Sequence, residues 1–419
     1  MKTLCYFLLG TMVLGKGFAQ DTLKINPQEA EKRFLEKNLF LLAKQYDIEA
    51  AEAQILQAKL YPNPTFIASL NLIDPENQRT LHIGSSGQKE FSVEQLFILG
   101  GKRKSEITLA QKNKEIAIAE LAELLRNLRY QLFQSYFTIH QQNLVIAKYN
   151  EQIQVLDSII KAYEVQVQKG NIPMKDVIRL KSAYLKIYQE RSALLQEQIQ
   201  QNQTLQILLQ TNQVILPILK ENLPNQMNFL PAYPELVSLA LQNRQDLKLA
   251  RLGKEIATIR VRLQKQLTTP DLALQLAYDQ RGGAFQNQIN VGFALPLPLW
   301  NRNKGNIKIA QAEQKASEIL IEQKQKEIET EVLWAWQSMQ RSLNAYEQMQ
   351  KIFSQEYEIV FEGIKNNFRK KNIGLIEFVD FFESYNEAIV EYQKAKMQVL
   401  FAALFINFVT ASDTYKFEN

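Results

Sequence analysis

Few residues of this chain could catalyse a reaction or bind a metal ion. Among 419 residues there are two His and one Cys. His82 lies in a predicted loop and His140 inside a long predicted helix, whereas a metal site needs several converging ligands. The sequence shows no Gly-rich phosphate loop, no recognisable Ser/His/Asp set and no His-Glu-x-x-His motif. We therefore predict no enzyme activity, no catalytic residues, no cofactor and no metal site.

Charged residues cluster at two places where predicted helices turn. They are the acids Asp176, Glu377, Asp380 and Glu383 and the bases Lys169, Lys175, Arg179, Arg369, Lys370 and Lys371. Carboxylates attract cations and pair with Lys or Arg, although each exposed pair contributes only about 0–1 kcal/mol. A solvated charged surface is the simpler interpretation of any single member. Any shared role depends on the elements that position these residues.

The composition favours long helices over many short strands. The chain is 46% hydrophobic and 22% charged, with 15 Gly and 12 Pro. A protein built from numerous strands and turns would need more of these two residues. The net charge of +5 is small for this length and gives no reason to propose a nucleic acid as partner.

The N-terminus has the pattern of a secretory signal peptide over residues 1–19. Lys2 precedes the apolar stretch Leu4 to Leu14, and Gly17-Phe18-Ala19 has the small-x-small form of a cleavage site. Cys5 would leave with this segment, so a lipid anchor on an N-terminal cysteine is not expected. No later stretch reaches the roughly 18 apolar residues of a transmembrane helix.

The remaining chain contains an internal repeat, with one copy over 20–217 and a second over 218–419. Asn171-Ile172, with an acid four residues after the Ile, reappears as Asn372-Ile373 with Glu377. Leu99-Gly100-Gly101-Lys102-Arg103 likewise corresponds to Leu299-Trp300-Asn301-Arg302-Asn303. Landmarks in the same order at nearly the same spacing predict two copies of one structural unit.

Each repeat contains a pair of very long helices. We place them at about 102–168 and 174–211 in the first repeat and about 303–370 and 375–411 in the second. Apolar residues recur there at steps of three and four, which predicts coiled-coil packing. A helix over 102–168 would be about 100 Å long at 1.5 Å per residue.

Each repeat also contains two short alternating stretches. We place these strands at about 64–73, 90–98, 271–280 and 288–297. Their length suits tilted strands that span a membrane. Two soluble hairpins packed on the helices remain an alternative from the alternation alone. If the strands do span, four cannot close a barrel, so several copies must share one; a trimer would supply twelve strands.

The repeats, strands and helix turns together resemble those of the TolC-like outer-membrane efflux protein family. The resemblance lies in Gln57-Ala58-Lys59-Leu60-Tyr61-Pro62-Asn63-Pro64, in 95–103, in Leu295-Pro296-Leu297-Pro298-Leu299-Trp300-Asn301-Arg302-Asn303-Lys304-Gly305 and in the two helix turns. It covers essentially the whole chain after the signal peptide. The second-half junction looks most like the branch that serves heavy-metal cation efflux.

The resemblance implies a mainly α fold with a small β part. The family forms homotrimers with a twelve-stranded barrel in outer-membrane lipid, continued by an α-helical tunnel across the periplasm. Its partners are a periplasmic adaptor and an inner-membrane pump. The expected function is a passive exit duct of a tripartite efflux system, with heavy-metal cations as the expected cargo.

The helix tips are the main candidate site. The resemblance implies that they meet the adaptor, through Gly170, Asn171, Ile172, Pro173, Asn372, Ile373, Gly374 and Leu375. Plain turn chemistry would also explain Gly and Asn there. In a trimer each inward acid would form a ring of three, so Asp176, Glu377, Asp380 and Glu383 are candidates for an entrance gate.

Two alternatives stay open. The duct could instead serve drug efflux or type I protein secretion. In a different class, a periplasmic coiled-coil adaptor or scaffold would also be exported and rich in long helices. Such a protein should have one helical hairpin rather than two.

Overall fold

The computed structural model describes residues 21–220, 223–282, 284–352 and 356–417. The predicted signal peptide, residues 1–19, lies outside the described residues. Ten helices and eight strands lie within these ranges. The helices are α1 (Pro27–Lys37), α2 (Leu39–Ala58), α3 (Lys102–Gln168), α4 (Met174–Leu209), α5 (Leu223–Gln226), α6 (Tyr233–Asn243), α7 (Gln245–Gln266), α8 (Lys304–Ile352), α9 (Glu356–Arg369) and α10 (Leu375–Thr410). The strands are β1 (Thr22–Ile25), β2 (Thr65–Leu70), β3 (Ile73–Asp74), β4 (Arg79–Thr80), β5 (Gln88–Phe97), β6 (Val214–Pro217), β7 (Leu272–Arg281) and β8 (Phe285–Ala294).

Local backbone chemistry sets the ends of the long helices. Gly100 and Gly101 have φ values of 70° and 77° immediately before α3, a conformation that glycine adopts without steric cost. Asn303 has a φ of 55° at the equivalent place before α8. The helix expected over 303–370 is described as α8 and α9, on either side of 353–355. No helix in the described ranges is both long and apolar enough to cross a membrane.

Four strands form one antiparallel sheet in the order β2-β5-β7-β8. The β5–β7 pair joins the two repeats over its whole length, from Gln88 opposite Arg281 to Phe97 opposite Leu272. The strand placed at 288–297 was three residues too late, since β8 runs from Phe285 to Ala294. Pro296 and Pro298 lack the N–H that a strand needs for pairing, so the strand ends before them.

The two faces of this sheet differ in chemistry. One face carries the rows Phe66-Val93-Leu276-Val291 and Ala68-Phe91-Tyr278-Ile289 across all four strands. The opposite face carries the row Ser69-Glu90-Asp279-Gln288. Side chains alternate between faces along a strand, so these registers place one apolar face and one polar face on the sheet.

Two hydrophobic cores among the described residues hold the helices together. The first core surrounds the middle of α3, the end of α10 and a parallel pair of β1 and β6. There the buried Tyr136 hydroxyl donates to the carbonyl oxygens of Ile25 at 2.9 Å and Ile218 at 2.7 Å. The second core lies towards the tips, between α3, α4, α9 and α10. In it Phe368 and Phe378 stack with ring centroids 4.2 Å apart.

A network of ion pairs around the buried Arg244 joins two helices of the second repeat. The Arg244 guanidinium, 4% exposed, donates to both oxygens of Asp246 at 3.0 and 2.6 Å and also to Glu331. Burial opposes ionisation of Asp246, but the bonds from Arg244 keep the pKa of this carboxyl below its usual range. The network joins the start of α7 to α8.

Candidate functional site

The tip between α3 and α4 is a compact helix-ending turn. Gly170 has a φ of 72° and its N–H donates to the Val167 carbonyl at 2.9 Å. The Asn171 N–H donates to the Gln166 carbonyl at 3.0 Å, and its side-chain amide donates to Gln166 Oε1 at 2.8 Å. These are the bonds of a Schellman motif, which satisfies the last carbonyls of a helix.

The tip between α9 and α10 has the same pattern of backbone hydrogen bonds. Lys371 has a φ of 63° and its N–H donates to the Phe368 carbonyl at 3.0 Å. The Asn372 N–H donates to the Asn367 carbonyl at 2.9 Å, and the Asn372 Nδ2 donates to Asn367 Oδ1 at 3.3 Å. Asn171 and Asn372 therefore have the same structural role, which accounts for their presence in both tips.

The eight predicted docking residues differ in exposure. Gly170, Asn171, Pro173, Asn372 and Gly374 are exposed, while Ile172 is half-buried. Ile373 and Leu375 are half-buried and pack against the second core.

Sequence reasoning missed three strongly exposed apolar residues beside the tips. Met174, Ile178 and Ile376 are 59%, 58% and 69% exposed. Exposed apolar residues clustered at one end of the molecule are typical of an interaction surface. All three lie within the first two turns of α4 and α10. Their positions do not match the periodicity of the buried residues Val177, Leu180 and Phe378, and this mismatch could have revealed them.

The four predicted gate acids lie on the first two or three turns of α4 and α10. Asp176 and Glu377 occupy the first turns, where the helix dipole stabilises negative charge. Glu377 and Asp380 are exposed, and Asp176 and Glu383 are half-buried. None of the four forms an ion pair with another described residue.

Asp176 nevertheless affects a core residue. Burial, and secondarily the negative charge of Asp176, raise the pKa of Tyr163. Tyr163 stacks on Phe368 with ring centroids 5.9 Å apart, directly beneath the tips. The acid therefore lies close to the aromatic part of the second core.

Both histidines are held by hydrogen bonds inside the chain. His82 Nδ1 lies 2.6 Å from Asp74 Oδ2, and its Nε2 lies 3.1 Å from Ser86 Oγ. The His140 Nδ1 lies 3.4 Å from the Pro217 carbonyl, and burial lowers the pKa of this imidazole. Across the ranges described, no group of three or more His, Cys, Asp and Glu residues is placed to hold a metal ion.

The Asp74-His82-Ser86 chain was missed in the sequence, where no Ser/His/Asp set was recognised. Such a chain can activate a serine only where free donors also stabilise an oxyanion. Here the Gly87 N–H donates to the Gly84 carbonyl, and Gln280 Nε2 donates to the Gly84 and Ser85 carbonyls. These donors are engaged in folding the loop over the end of β7. We interpret the three residues as a lock on that loop.

Comparison with known proteins gives a consistent result. The family model described as outer membrane efflux protein matches residues 32–211 and 236–364. The cobalt-zinc-cadmium resistance protein CzcC of Cupriavidus metallidurans is 26% identical over 293 residues. That alignment covers 68% of this chain and 66% of CzcC, so it spans about two thirds of that relative.

Solved structures share the fold over nearly the whole chain. A crystal structure of CusC, described in terms of transmembrane channel formation, has a TM-score of 0.75, 16% identity and 92% coverage of both chains. The CmeC outer membrane channel of Campylobacter jejuni has a TM-score of 0.75 and 13% identity, covering 93% of this chain and 87% of CmeC. The outer membrane protein VceC of Vibrio cholerae has a TM-score of 0.72 and 15% identity, covering 92% of this chain and 96% of VceC.

These matches confirm the fold class expected from the sequence and the resemblance on which it rested. They place the chain among outer-membrane efflux proteins rather than among enzymes. The family match extends over most of the chain and includes both repeats. The chain belongs to the outer membrane efflux protein family.

Proposed function

We propose that this chain forms a homotrimeric exit duct across the outer membrane and the periplasm. The observation that carries the proposal is the four-stranded sheet, whose outer strands β2 and β8 each have one neighbour in the described chain. Its apolar face is unusually open, with Ile289, Val291 and Phe293 72–80% exposed. An open sheet edge cannot be tolerated in lipid, so β8 of one copy must pair with β2 of the next.

Three copies of four strands give twelve, enough for a membrane barrel. The apolar rows would then face lipid and the polar row the water-filled interior. Glu90 and Asp279 are paired in that polar row. Three copies would place six carboxylates around the lumen, which favours cations over anions.

The internal repeat supports the same arrangement of copies. α7 packs on both α3 and α8 and buries Leu252, Ile256 and Ile259. Its counterpart α2 also packs on α3, but exposes Phe40 and Tyr46, at 59% and 68%. Within one chain, α7 of the second repeat contacts α3 of the first repeat. If the same contact forms between copies, α2 of one copy lies against α8 of the next copy. The α8 helix of that next copy then covers the exposed face of α2.

We propose heavy-metal cations as the cargo. The support is the likeness to CzcC, a protein named for cobalt, zinc and cadmium resistance. A duct of this kind conducts passively, so selection of the cargo belongs to the inner-membrane pump that delivers it. Drug efflux and type I secretion use ducts of similar design and remain the alternatives for cargo.

The helix tips are the proposed docking point for a periplasmic adaptor. They lie at the end of α3, which extends about 100 Å. Both tips have the same backbone geometry, so one adaptor motif could meet either. Export through the signal peptide over 1–19, without lipidation, completes the proposed localisation in the outer membrane.

Metal export in cells tests this function. A strain lacking the chain should become sensitive to Co²⁺, Zn²⁺ or Cd²⁺ and retain more metal, and the intact gene should restore both. Unchanged metal tolerance together with sensitivity to drugs, or with loss of a secreted protein, would contradict the proposed cargo but not the duct.

A further inference from the structure

A groove of about 560 Å³ lies between α3, α4 and α10, next to the second core. One chain alone supplies the whole lining of this groove. Its floor includes Gln142 and Asn386, which are 4% and 6% exposed. Its apolar lining includes Val145, Ile187 and Val390.

The polar groups of the floor lack partners. Neither the amide nitrogen nor the carbonyl oxygen of Asn386 has a hydrogen-bond partner among the described residues, and the Gln142 Oε1 has none. Buried polar groups are normally paired, because an unpaired one costs about 1–3 kcal/mol. The groove therefore presents two acceptor oxygens, Asn386 Oδ1 and Gln142 Oε1, that are free to accept from the N–H donors of a ligand.

The rim of the groove is negatively charged. It carries the carboxylates Glu190, Glu197, Glu383, Glu387 and Glu391 against the ammonium groups Lys186 and Lys394, a net charge of −3 from five negative and two positive groups. Both lysines are already engaged, Lys186 with Glu387 at 3.4 Å and Lys394 with Glu391 at 2.7 Å. A ligand with several positive charges would complement this rim.

The acids are arranged in a line rather than around a point. Glu383, Glu387 and Glu391 recur every fourth residue of α10, which separates their backbone positions by about 6 Å each. A single metal ion needs ligands that converge. A flexible chain of ammonium groups, separated by three or four methylenes, matches both the line of charges and the apolar walls.

We propose that this groove binds a linear polyamine. One ammonium group donates to Asn386 Oδ1 and Gln142 Oε1 on the floor. The other ammonium groups lie along the glutamates of α10 and α4, and the methylene segments contact Val145 and Ile187. The Asn386 Oδ1 thereby gains a donor that the chain itself does not supply.

Equilibrium dialysis with radiolabelled spermidine tests the site on the full-length protein in detergent. One saturable site per chain is expected, weakened by added salt because charge carries part of the affinity. The Asn386→Leu variant, of similar size but without hydrogen-bonding groups, should bind roughly tenfold more weakly or worse. The double variant Glu387→Gln/Glu391→Gln should also bind spermidine weakly. Because both substitutions lie on the exposed rim, this result does not depend on whether the protein tolerates a change at the buried Asn386.

The matched control is Glu322→Gln, which removes one exposed carboxylate of α8 away from the groove and should bind as wild type does. The proposal is overturned if wild type shows no saturable binding, or if both groove variants retain it. An equal loss of spermidine binding in the control variant would indicate nonspecific attraction to negative charge and would overturn the proposal. Displacement of spermidine by equimolar Zn²⁺ would indicate a metal site and would also overturn it.

Discussion

Lys102 Nζ lies 2.7 Å from Asp271 Oδ1 and joins the two repeats where the sheet meets the long helices. The Leu99 N–H donates to the same oxygen at 2.9 Å. The Lys102 side chain is 7% exposed, and this carboxylate lies against its ammonium group. Burial opposes ionisation of Asp271, yet the two donors hold the pKa of this carboxyl below its usual value.

Replacing Asp271 by Asn should destabilise the protein. The substitution leaves a buried ammonium group without its counter-ion, and we expect the free energy of unfolding to fall by roughly 1–3 kcal/mol. A lower thermal unfolding midpoint of the detergent-solubilised protein is the readout. As a control, Glu151→Gln breaks the exposed pair with Lys148 and should leave the midpoint unchanged. Equal midpoints for both variants would contradict a structural role for the Lys102–Asp271 contact.

Acid should open the loop held by Asp74. Hydrogen bonds from Asn77, followed by the contact with His82, lower the pKa of Asp74 to about 2. A carboxyl with a depressed pKa stabilises the fold fully above its unfolded pKa of about 4 and loses that contribution as the pH falls through the folded value. Pepsin cleavage at Leu72 or Leu81 should therefore increase between pH 4 and pH 2. The Asp74→Asn variant should be cleaved readily at pH 4 already, and equal cleavage of both proteins there would exclude the lock.

The exposed apolar residues of the tips should matter for docking and not for folding. The double variant Met174→Glu/Ile376→Glu places charges on the surface proposed to meet the adaptor, so we expect loss of metal tolerance in cells with normal protein levels and thermal midpoint. Phe378→Ala is the contrasting change, because Phe378 is 1% exposed and its removal should cost about 3–5 kcal/mol. Full metal tolerance in the double variant would remove these two residues from the docking surface.

The acids near the tips should restrict the entrance. In a trimer, Asp176 and Asp380 could pair with basic residues of neighbouring helices such as Arg369 and Lys370, and removing them should loosen the closed state. We expect Asp176→Ala/Asp380→Ala to raise the single-channel conductance in planar bilayers. Asp157→Ala, which breaks a pair with Lys161 within α3, controls for the loss of surface charge. An unchanged conductance in the tip variant would mean that these acids are simply solvated.

Much of the architecture could be predicted because it depends on local signals. Gly101 and Gly170 flank the uninterrupted α3, and the repeated Asn-Ile pair marks two turns with matching hydrogen bonds. The placement of β8 was wrong by three residues because alternation continues through Leu295 and Leu297, although prolines prevent pairing there.

Long-range features could not be predicted in the same way. β1 and β6 are four-residue strands from distant parts of the chain, too short to show a period. The meeting of Asp74, His82 and Ser86 depends on how one loop folds against Gln280. The pairing of β5 with β7 likewise joins segments from different repeats, and only the assembled sheet reveals its two faces.

Cross-linking between copies tests the central proposal, that three chains share one wall. An ideal Cβ on Gly100 would lie 2.9 Å from Thr269 Cβ, where the first repeat meets the second. Counted back from the first residues of α3 and α8, the counterpart of Gly100 is Arg302, two residues later than the sequence pairing with Trp300. Pro62 is the counterpart of Thr269, so Arg302 and Pro62 should meet between neighbouring copies. Removal of the signal peptide would leave the mature chain without cysteine, so Pro62→Cys/Arg302→Cys introduces the only pair of thiols.

With a short bis-maleimide reagent, the outer-membrane form of this double variant should yield a covalent trimer on a denaturing gel, and each single variant should remain monomeric. The particle in detergent should have the mass of three chains. A monomeric mass, together with no cross-linked product in the double variant, would contradict the shared barrel and favour a helical scaffold.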